Sequence, residues 1–382
     1  MTTTDDLVVV GGGIIGMSIA WRCAERGMSV RVVDPAPGAG ASHAAAGMLA
    51  PVTELHYGEE DLLRLNLQSA RRYPAFVAEL EDAAGTSVGY RTEGTLAVAL
   101  DLDDRAVLTD LQAFQTSLGL DVEALTAREA RRLEPMLDPG IRGALHVRSD
   151  HSVDNRRLMT ALLAAAEGVG VQLIKQRVDE LIRGDDGVLG VRAAGTDHRA
   201  TTVVIAAGSW SGSLAGLEDG LLPPVRPVKG QILRLRTPPA YGTVLTRTVR
   251  GFVRGSGVYL VPRSDGEIVV GATVEERGFD DAVTAGAVYE LLRDARELVP
   301  AVTELTVAEI GAGLRPGSPD NAPLIGPTSV PGLALATGHF RNGVLLAPVT
   351  ADLVADLITT GSLPEAAAAF APSRFERIGA PA

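Results

Sequence analysis

Leu7-Val8-Val9-Val10-Gly11-Gly12-Gly13-Ile14-Ile15-Gly16 joins an apolar, β-branched run to a glycine-rich turn, and helix-forming sequence follows to about Arg26. The run predicts a buried strand, and the turn opens an amphipathic helix that begins at Ile14 and Ile15. A second apolar run, Val30 to Val33, ends at Asp34, 18 residues beyond Gly16. Gly11, Gly13 and Gly16 fill the three glycine positions of the dinucleotide fingerprint, and Asp34 fills its acidic one. One glycine makes the tight turn, one admits a pyrophosphate to the backbone, and one packs helix on strand. The helix N-terminus offers unpaired N–H groups to the phosphates, and a carboxylate at position 34 can accept from a ribose diol. Three glycines alone also describe a plain turn. Strand, helix, second strand and acid together point to a nucleotide, with NAD and FAD still level.

Outside that stretch, composition sets bounds. The chain has 382 residues, 46% hydrophobic and 21% charged, enough for a large core and two domains. A net charge of −12 argues against a nucleic-acid surface, which needs a basic face. The single cysteine, Cys23, lies in the first helix, forms no intramolecular disulfide and reads as a small apolar filler. The six histidines show no ligand spacing and there is no CxxC, so no metal site is expected. The start, Met1 to Asp6, lacks the basic end and apolar stretch of a signal peptide. No run of about 18 apolar residues suggests a membrane span. The expectation is a soluble cytoplasmic protein.

Along the chain, a small-residue stretch from Gly38 to Met48 is followed by helical sequence from about Glu59 to Ala84. Tyr90 to Leu100 reads as a strand, and helices are expected at Val107–Leu118, Ala127–Leu133 and Arg156–Gly168, the last capped by Asp154 or Asn155. Val171–Ile174 is a short strand, and Asp186-Gly187 introduces a hairpin. Thr202 to Gly208 is a buried strand running into a glycine. From about Pro227 to Val274 alternating strands dominate, before a helix at Ala287–Val299. Leu333 to Gly338 is a further apolar strand, followed by a helix from Leu345 to Thr359, and the Ala-rich tail after Leu363 reads as mobile. The class is α/β: a discontinuous Rossmann-like domain over 1–85, 150–225 and 310–370, with a mainly antiparallel β-sheet domain over 86–149 and 226–309.

Several ordered segments resemble the D-amino-acid oxidase and glycine oxidase family of FAD proteins nearly end to end. They are Val8 to Gly16 with Asp34, Ser42 to Met48, Val204 to Trp210, Tyr259 to Arg263, Gly313 to Pro316, and Thr337 to Gly343. The Gly-Leu-Arg-Pro and Gly-His-Phe-Arg-Asn-Gly blocks look most like the glycine oxidase branch, which serves thiamine biosynthesis. The resemblance implies non-covalent FAD held by Gly11, Gly13, Ile14, Ile15, Gly16, Asp34, Ser42, Ala45, Ala46, Gly47, Met48, Val178, Ala207, Gly208, His339, Arg341, Asn342 and Gly343. Independently of it, Ala44 to Gly47 carry so little bulk that a flat ring can lie on their backbone, and a small-residue loop for close packing is the alternative. A helix start after Gly343 places positive N–H ends beyond the preceding strand.

For the substrate, the resemblance implies Arg315 and Tyr259 on a carboxylate, with Arg341 close by. Arg315 stands between Leu314 and Pro316 in an apolar, turn-bounded setting, and a guanidinium grips a carboxylate through two parallel bonds. The implied activity is oxidative deamination of glycine and other small amino acids such as sarcosine or small D-amino acids. Its products are the keto acid and ammonia, with oxygen reduced to hydrogen peroxide. His43 and His339 read as contributing shape or hydrogen bonds, with proton handling as the alternative. Family members often form homotetramers, so a homo-oligomer is implied. Gly257 and Val274 stand where bulkier side chains are expected, which leaves strict glycine preference open. A D-amino acid or sarcosine oxidase, a quinone-linked dehydrogenase, an NAD reductase and a flavin sensor remain the rivals.

Overall fold

The computed structural model describes residues 4–216, 225–253 and 255–375. The reading of Met1–Thr3 as part of a leaderless start, and the last seven residues of the Ala-rich tail, lie outside the described residues. In chain order, β1 (Asp5–Val10), α1 (Ile14–Glu25) and β2 (Val30–Val33) are followed by α2 (Glu60–Ala84) and β3 (Thr95–Ala99). Then come α3 (Asn155–Gly168), β4 (Thr196–Ile205), β5 (Arg226–Arg236), β6 (Thr248–Val253), β7 (Ser256–Pro262) and β8 (Glu267–Gly271). The described chain closes with α4 (Ala285–Leu298), β9 (Thr306–Gly317), β10 (Leu333–Thr337) and α5 (Gly343–Thr360).

The first sheet runs Leu324–Pro327, β10, β4, β1, β2, Gln172–Ile174, with parallel pairing everywhere except at the Leu324–Pro327 edge. The hairpin Val178–Gly184/Gly187–Ala193 continues from the lower part of β4. Parallel strands are covered on both faces, and Leu7, Val8 and Val9 accordingly have no exposed surface. Gly11 and Gly16 serve this packing from within. A Cβ on Gly16 would sit 1.9 Å from the Gly11 carbonyl oxygen, and one on Gly11, at φ +110°, would sit 2.4 Å from that of Ala206. Helix and strand therefore touch backbone to backbone.

Helices α1, α2, α3 and α5 pack together on one side of this sheet. In α1 the buried face includes Ile14, Met17, Ile19, Trp21 and Cys23, and Trp21 meets Phe76 of α2 edge-on at 5.6 Å between centroids. Burial pushes the Cys23 thiol up to about 12, so it stays an inert filler. Residues Phe340–Thr360 have a mean hydropathy of 1.5, long and apolar enough to cross a membrane. Here the segment is a core helix, buried from Val344 through Ala351, because it packs against α1 and α2. The tail also departs from expectation. Residues 365–375 form two short 3₁₀ turns, with Ala367 and Phe370 only 2% exposed.

The second sheet runs β9, β5, β8, β7, β6, β3, Gly143–Val147, Glu123–Leu125, antiparallel except between β6 and β3. Strand β3 is shorter than Tyr90–Leu100 because Gly94 turns at φ +88° and Arg91 bridges to Ser152 instead. The other revision concerns Arg315. It lies inside the twelve-residue strand β9, opposite Val228, with Pro316 opposite Pro227. Strand β9 is an edge strand, where a proline costs no outer ladder bond.

One buried cation ties the two halves together. Arg263, just past β7 and 6% exposed, donates to the carbonyls of Val153 and Ala46, both at 2.7 Å, and to Asn155 Oδ1 at 3.0 Å. Burial pulls its guanidinium down to about 10, still charged at neutral pH. Replacing it by an apolar residue leaves three acceptors dry, each worth about 1–3 kcal/mol. Arg263→Met should therefore lose about 3 kcal/mol or more in urea unfolding of the holoenzyme, and Arg263→Lys should recover part of that loss.

Candidate active site

The end of β1, the small-residue stretch, the ends of β4 and β10, and one face of the second sheet enclose a cavity of about 1160 Å³. Its phosphate-facing end is α1. Gly13 is the helix N-cap with no side-chain cap of its own, and the Ile14 N–H donates to Ser42 Oγ at 3.0 Å. Gly13, Ile14, Ile15 and Ser42 all line the cavity, so unpaired N–H ends and a hydroxyl converge where a diphosphate binds. Asp34 lines it too. Its Oδ2 accepts from Gly12 N–H and its Oδ1 from Ala36 N–H, both at 2.7 Å. A carboxylate has about four acceptor sites, so anchoring the turn leaves capacity for a diol.

The flat part of the cradle is Ala44 to Met48, again on the cavity wall. Carbonyls from Ser42 to Ala46 accept from fixed donors. Asn155 Nδ2 donates to Ser42 O at 2.7 Å and His43 O at 3.1 Å, Arg234 Nη2 reaches His43 O at 3.3 Å, and Arg263 takes Ala46 O. Gly47 sits at φ +74°, and a Cβ there would meet Val153 O at 2.0 Å. A Cβ on Gly313 would meet Ala44 Cβ at 2.5 Å. No added side chain fits, and the inner face remains an open slot for a planar ring. Across the cavity, Gly343 begins α5, whose dipole puts its positive end toward the slot. These features fit the flavin dinucleotide.

Ala207, Gly208, His339, Arg341, Asn342 and Gly343 line the same cavity, whereas Gly11, Gly16 and Val178 do not. The two glycines act through packing, and Val178 belongs to the core beneath the hairpin at 7% exposure. His339 is buried, its Nε2 3.0 Å from Thr350 Oγ1, and burial pulls it down to about 3. It is a neutral hydrogen-bonding group, not a proton handler. His43 is more than half exposed, 3.7 Å from Glu309, and belongs to the rim.

Arg315 and Tyr259 face one another across the sheet. Arg315 Nη1 donates to the Thr273 carbonyl at 3.1 Å, and among the described residues no carboxylate lies within ion-pair distance of it. That is unusual for a guanidinium half out of water. A Cβ on Gly230 would lie 2.3 Å from Arg315 Nη1, and one on Gly271 would lie 2.4 Å from the Tyr259 hydroxyl. The two side chains thus rest on bare backbone. Burial raises the Tyr259 phenol, the Arg315 charge pulling the other way, so it stays a neutral donor.

Arg341 is different. Its guanidinium pairs with Glu59, donates to the Glu54 carbonyl at 3.1 Å, and has Nε 3.5 Å from Glu54 Oε2. Glu54 also pairs with Arg250. Burial pushes the Glu54 carboxyl upward, but Arg250 and Arg341 outweigh it and hold the group below its usual range. Glu54, Glu59 and Arg250 line the cavity and have no periodic or motif signal in the sequence. Arg263 sits in the quoted Tyr259–Arg263 segment, yet nothing there showed that its side chain turns under Ala46.

The FAD-dependent oxidoreductase family model matches residues 6–357. The chain is 36% identical to a glycine oxidase of Geobacillus kaustophilus over 361 residues, covering 94% of each. It is 35% identical over 375 residues to a bifunctional protein ThiO/ThiG of Trichormus variabilis, covering 98% of this chain and 56% of that one. The chain therefore spans about half the length of that bifunctional relative. The crystal structure of the Geobacillus kaustophilus glycine oxidase superposes with a TM-score of 0.90 at 34% identity, covering 98% of this chain and 99% of that one. A dinucleotide turn, an open planar slot and a matching family model over most of the chain lead to one conclusion. This protein belongs to the family of FAD-dependent oxidoreductases, with FAD as its cofactor.

Proposed function

We propose that this protein oxidises the amine of glycine and other small amino acids, sarcosine and small D-amino acids among them, yielding the keto acid, ammonia (methylamine from sarcosine) and hydrogen peroxide. The observation that carries this reading is Arg315, a cavity-lining guanidinium without a carboxylate partner among the described residues, beside the neutral Tyr259 hydroxyl. A substrate carboxylate completes the pair. Each charge-assisted hydrogen bond contributes about 1.5–3 kcal/mol, and two parallel ones fix orientation as well as affinity. Bound FAD supplies a two-electron acceptor that oxygen can return to its resting state. The chain's own residues hold the α-carbon against the slot, exclude water along the Ala44–Gly47 wall, and keep positive charge at the start of α5. No acid–base dyad is required, and His339 provides none.

We also assign 1–85, 150–225 and 310–370 to a nucleotide domain and 86–149 and 226–309 to a substrate domain. The similarity to the ThiO/ThiG and glycine oxidase relatives supports a place in thiamine biosynthesis. Two observations favour a wider range than glycine alone. Gly257 lines the cavity, and among the described residues a Cβ there would meet only Phe252 Cε1, at 3.9 Å. Val274, also on the wall, is 71% exposed. Side chains and N-methyl groups have room at this rim.

The direct test is anaerobic addition of glycine, sarcosine or D-alanine to the yellow holoenzyme. Bleaching is expected, and a spectrum unmoved by all three would overturn the assignment. Arg315→Lys keeps the charge but loses the fork. It should raise KM for glycine about 100-fold while the visible spectrum persists. Tyr259→Phe, which removes one neutral hydrogen bond, should raise it about tenfold.

His339 makes a prediction about pH. Its folded value, about 3, lies below the unfolded 6.5, so its contribution is complete above pH 6.5 and is lost as pH falls toward 3. Urea unfolding of the holoenzyme should weaken across that window. His339→Gln, which keeps a partner for Thr350, should flatten the slope.

A further inference from the structure

Strands β6 and β7 pair antiparallel with Arg250 directly opposite Tyr259. Directly opposed residues share a face, with Cβ atoms about 5 Å apart. Both line the cavity. A second guanidinium thus stands beside the carboxylate clamp, and Arg341 supplies a third cation on the same wall.

Two carboxylates of the chain itself answer two of these charges. Glu54 pairs with Arg250 through one oxygen and approaches Arg341 Nε at 3.5 Å through the other, and Glu59 pairs with Arg341. Glu54 does not reach this position by chance of a loose loop. Immediately before it, the fully buried Asp150 accepts from Val52 N–H at 3.1 Å, Thr53 N–H at 2.8 Å and Thr53 Oγ1 at 2.6 Å. Thr53 Oγ1 in turn lies 3.3 Å from Arg250 Nη1. The turn carrying Glu54 is pinned from behind while its carboxylate bridges two guanidiniums in front. Of these three guanidiniums, Arg250 and Arg341 have carboxylate partners, and Arg315 has none within ion-pair distance among the described residues.

We propose that Glu54 is a specificity-determining residue that restricts the site to ligands bearing one carboxylate, by occupying Arg250 and Arg341 from within the chain. A dicarboxylate offers its second anionic group to a position already filled by Glu54, meeting repulsion in place of a partner. Removing the Glu54 charge frees Arg250 beside Tyr259 and creates a second anion subsite. The ligand class admitted is the small dicarboxylate, including amino acids with an acidic side chain or an N-carboxymethyl group. This inference rests on the carboxylate clamp of the proposed function, but not on turnover.

The experiment titrates resting holoenzyme with acetate and with malonate, following perturbation of the flavin absorption band. In the wild type, malonate should bind no tighter than acetate. In Glu54→Gln, malonate should tighten about tenfold or more, the yield of one charge-assisted hydrogen bond, while acetate shifts less than about threefold. Adding Arg250→Gln to that variant should return malonate to the wild-type value. Glu54→Asp, with the charge kept but the reach shortened, should give an intermediate tightening, and it serves if the Gln variant does not retain flavin. Equal tightening of both anions would reduce the effect to general charge and overturn the proposal, as would malonate binding unchanged by the substitution. Bleaching by glycine is scored separately, so loss of the amino-acid oxidase reading would show there and not in the malonate-to-acetate ratio.

Discussion

A single guanidinium in the dry interface between the two sheets organises much of what this molecule does. Arg263 comes from the strand that also carries Tyr259, and it ends on the carbonyls of Ala46 and Val153. It thereby locks the small-residue wall of the cavity to the sheet that carries the proposed substrate clamp. A buried charge is tolerated only when its donors are used. Here the acceptors are backbone oxygens that would otherwise face into the slot or remain unsatisfied. Asn155 and Arg234 complete the same task for Ser42, His43 and Ala45. The flatness of the wall is thus the outward face of a polar network on its far side.

The chemistry is divided between the two sheets in a way that follows from their connectivity. Parallel strands end together, so the turns after β1, β4 and β10 gather at one edge and supply the dinucleotide face. The antiparallel sheet presents alternate side chains on one surface, which sets Arg250 beside Tyr259 on the facing wall. Arg315 reaches the same cavity from the edge strand. Charge is then sorted by distance. Of the cavity-lining arginines, Arg250 and Arg341 have carboxylate partners and become wall, whereas Arg315 has none among the described residues and is the proposed receptor.

Much of this was legible in the residues. The glycine turn at Gly11–Gly16 and the apolar runs ending at Gly208 and Gly338 carry strong local signals, since buried parallel strands and tight turns restrict composition. The cap of α3 was legible as Asp154 or Asn155, and it is the Asp154 carboxylate that accepts from Arg156 and Arg157 N–H. Position in space was harder. Arg315 looked turn-bounded because Pro316 follows it, and only the pairing with β5 shows that an edge strand accommodates both. Arg341 lines the cavity as its motif suggested, but its partners Glu54 and Glu59 lie almost 300 residues away in sequence. No periodicity reports such a contact. The alanine-rich tail misled in the opposite sense, because low complexity hid Ala367 and Phe370, which fill the core.

Gly230 and Gly271 give the clamp a property that its polar residues do not reveal. Any β-carbon at either position would occupy the space of the guanidinium or the phenol itself. An alanine at either position would displace the arginine or tyrosine tip even in a chain that keeps both residues. Diversification of this scaffold is channelled accordingly. Room for change lies at Gly257 and Val274, while Gly230 and Gly271 are held closed by the Arg315 and Tyr259 side chains. When related sequences are sorted by chemistry, the absent side chains are as informative as the present ones.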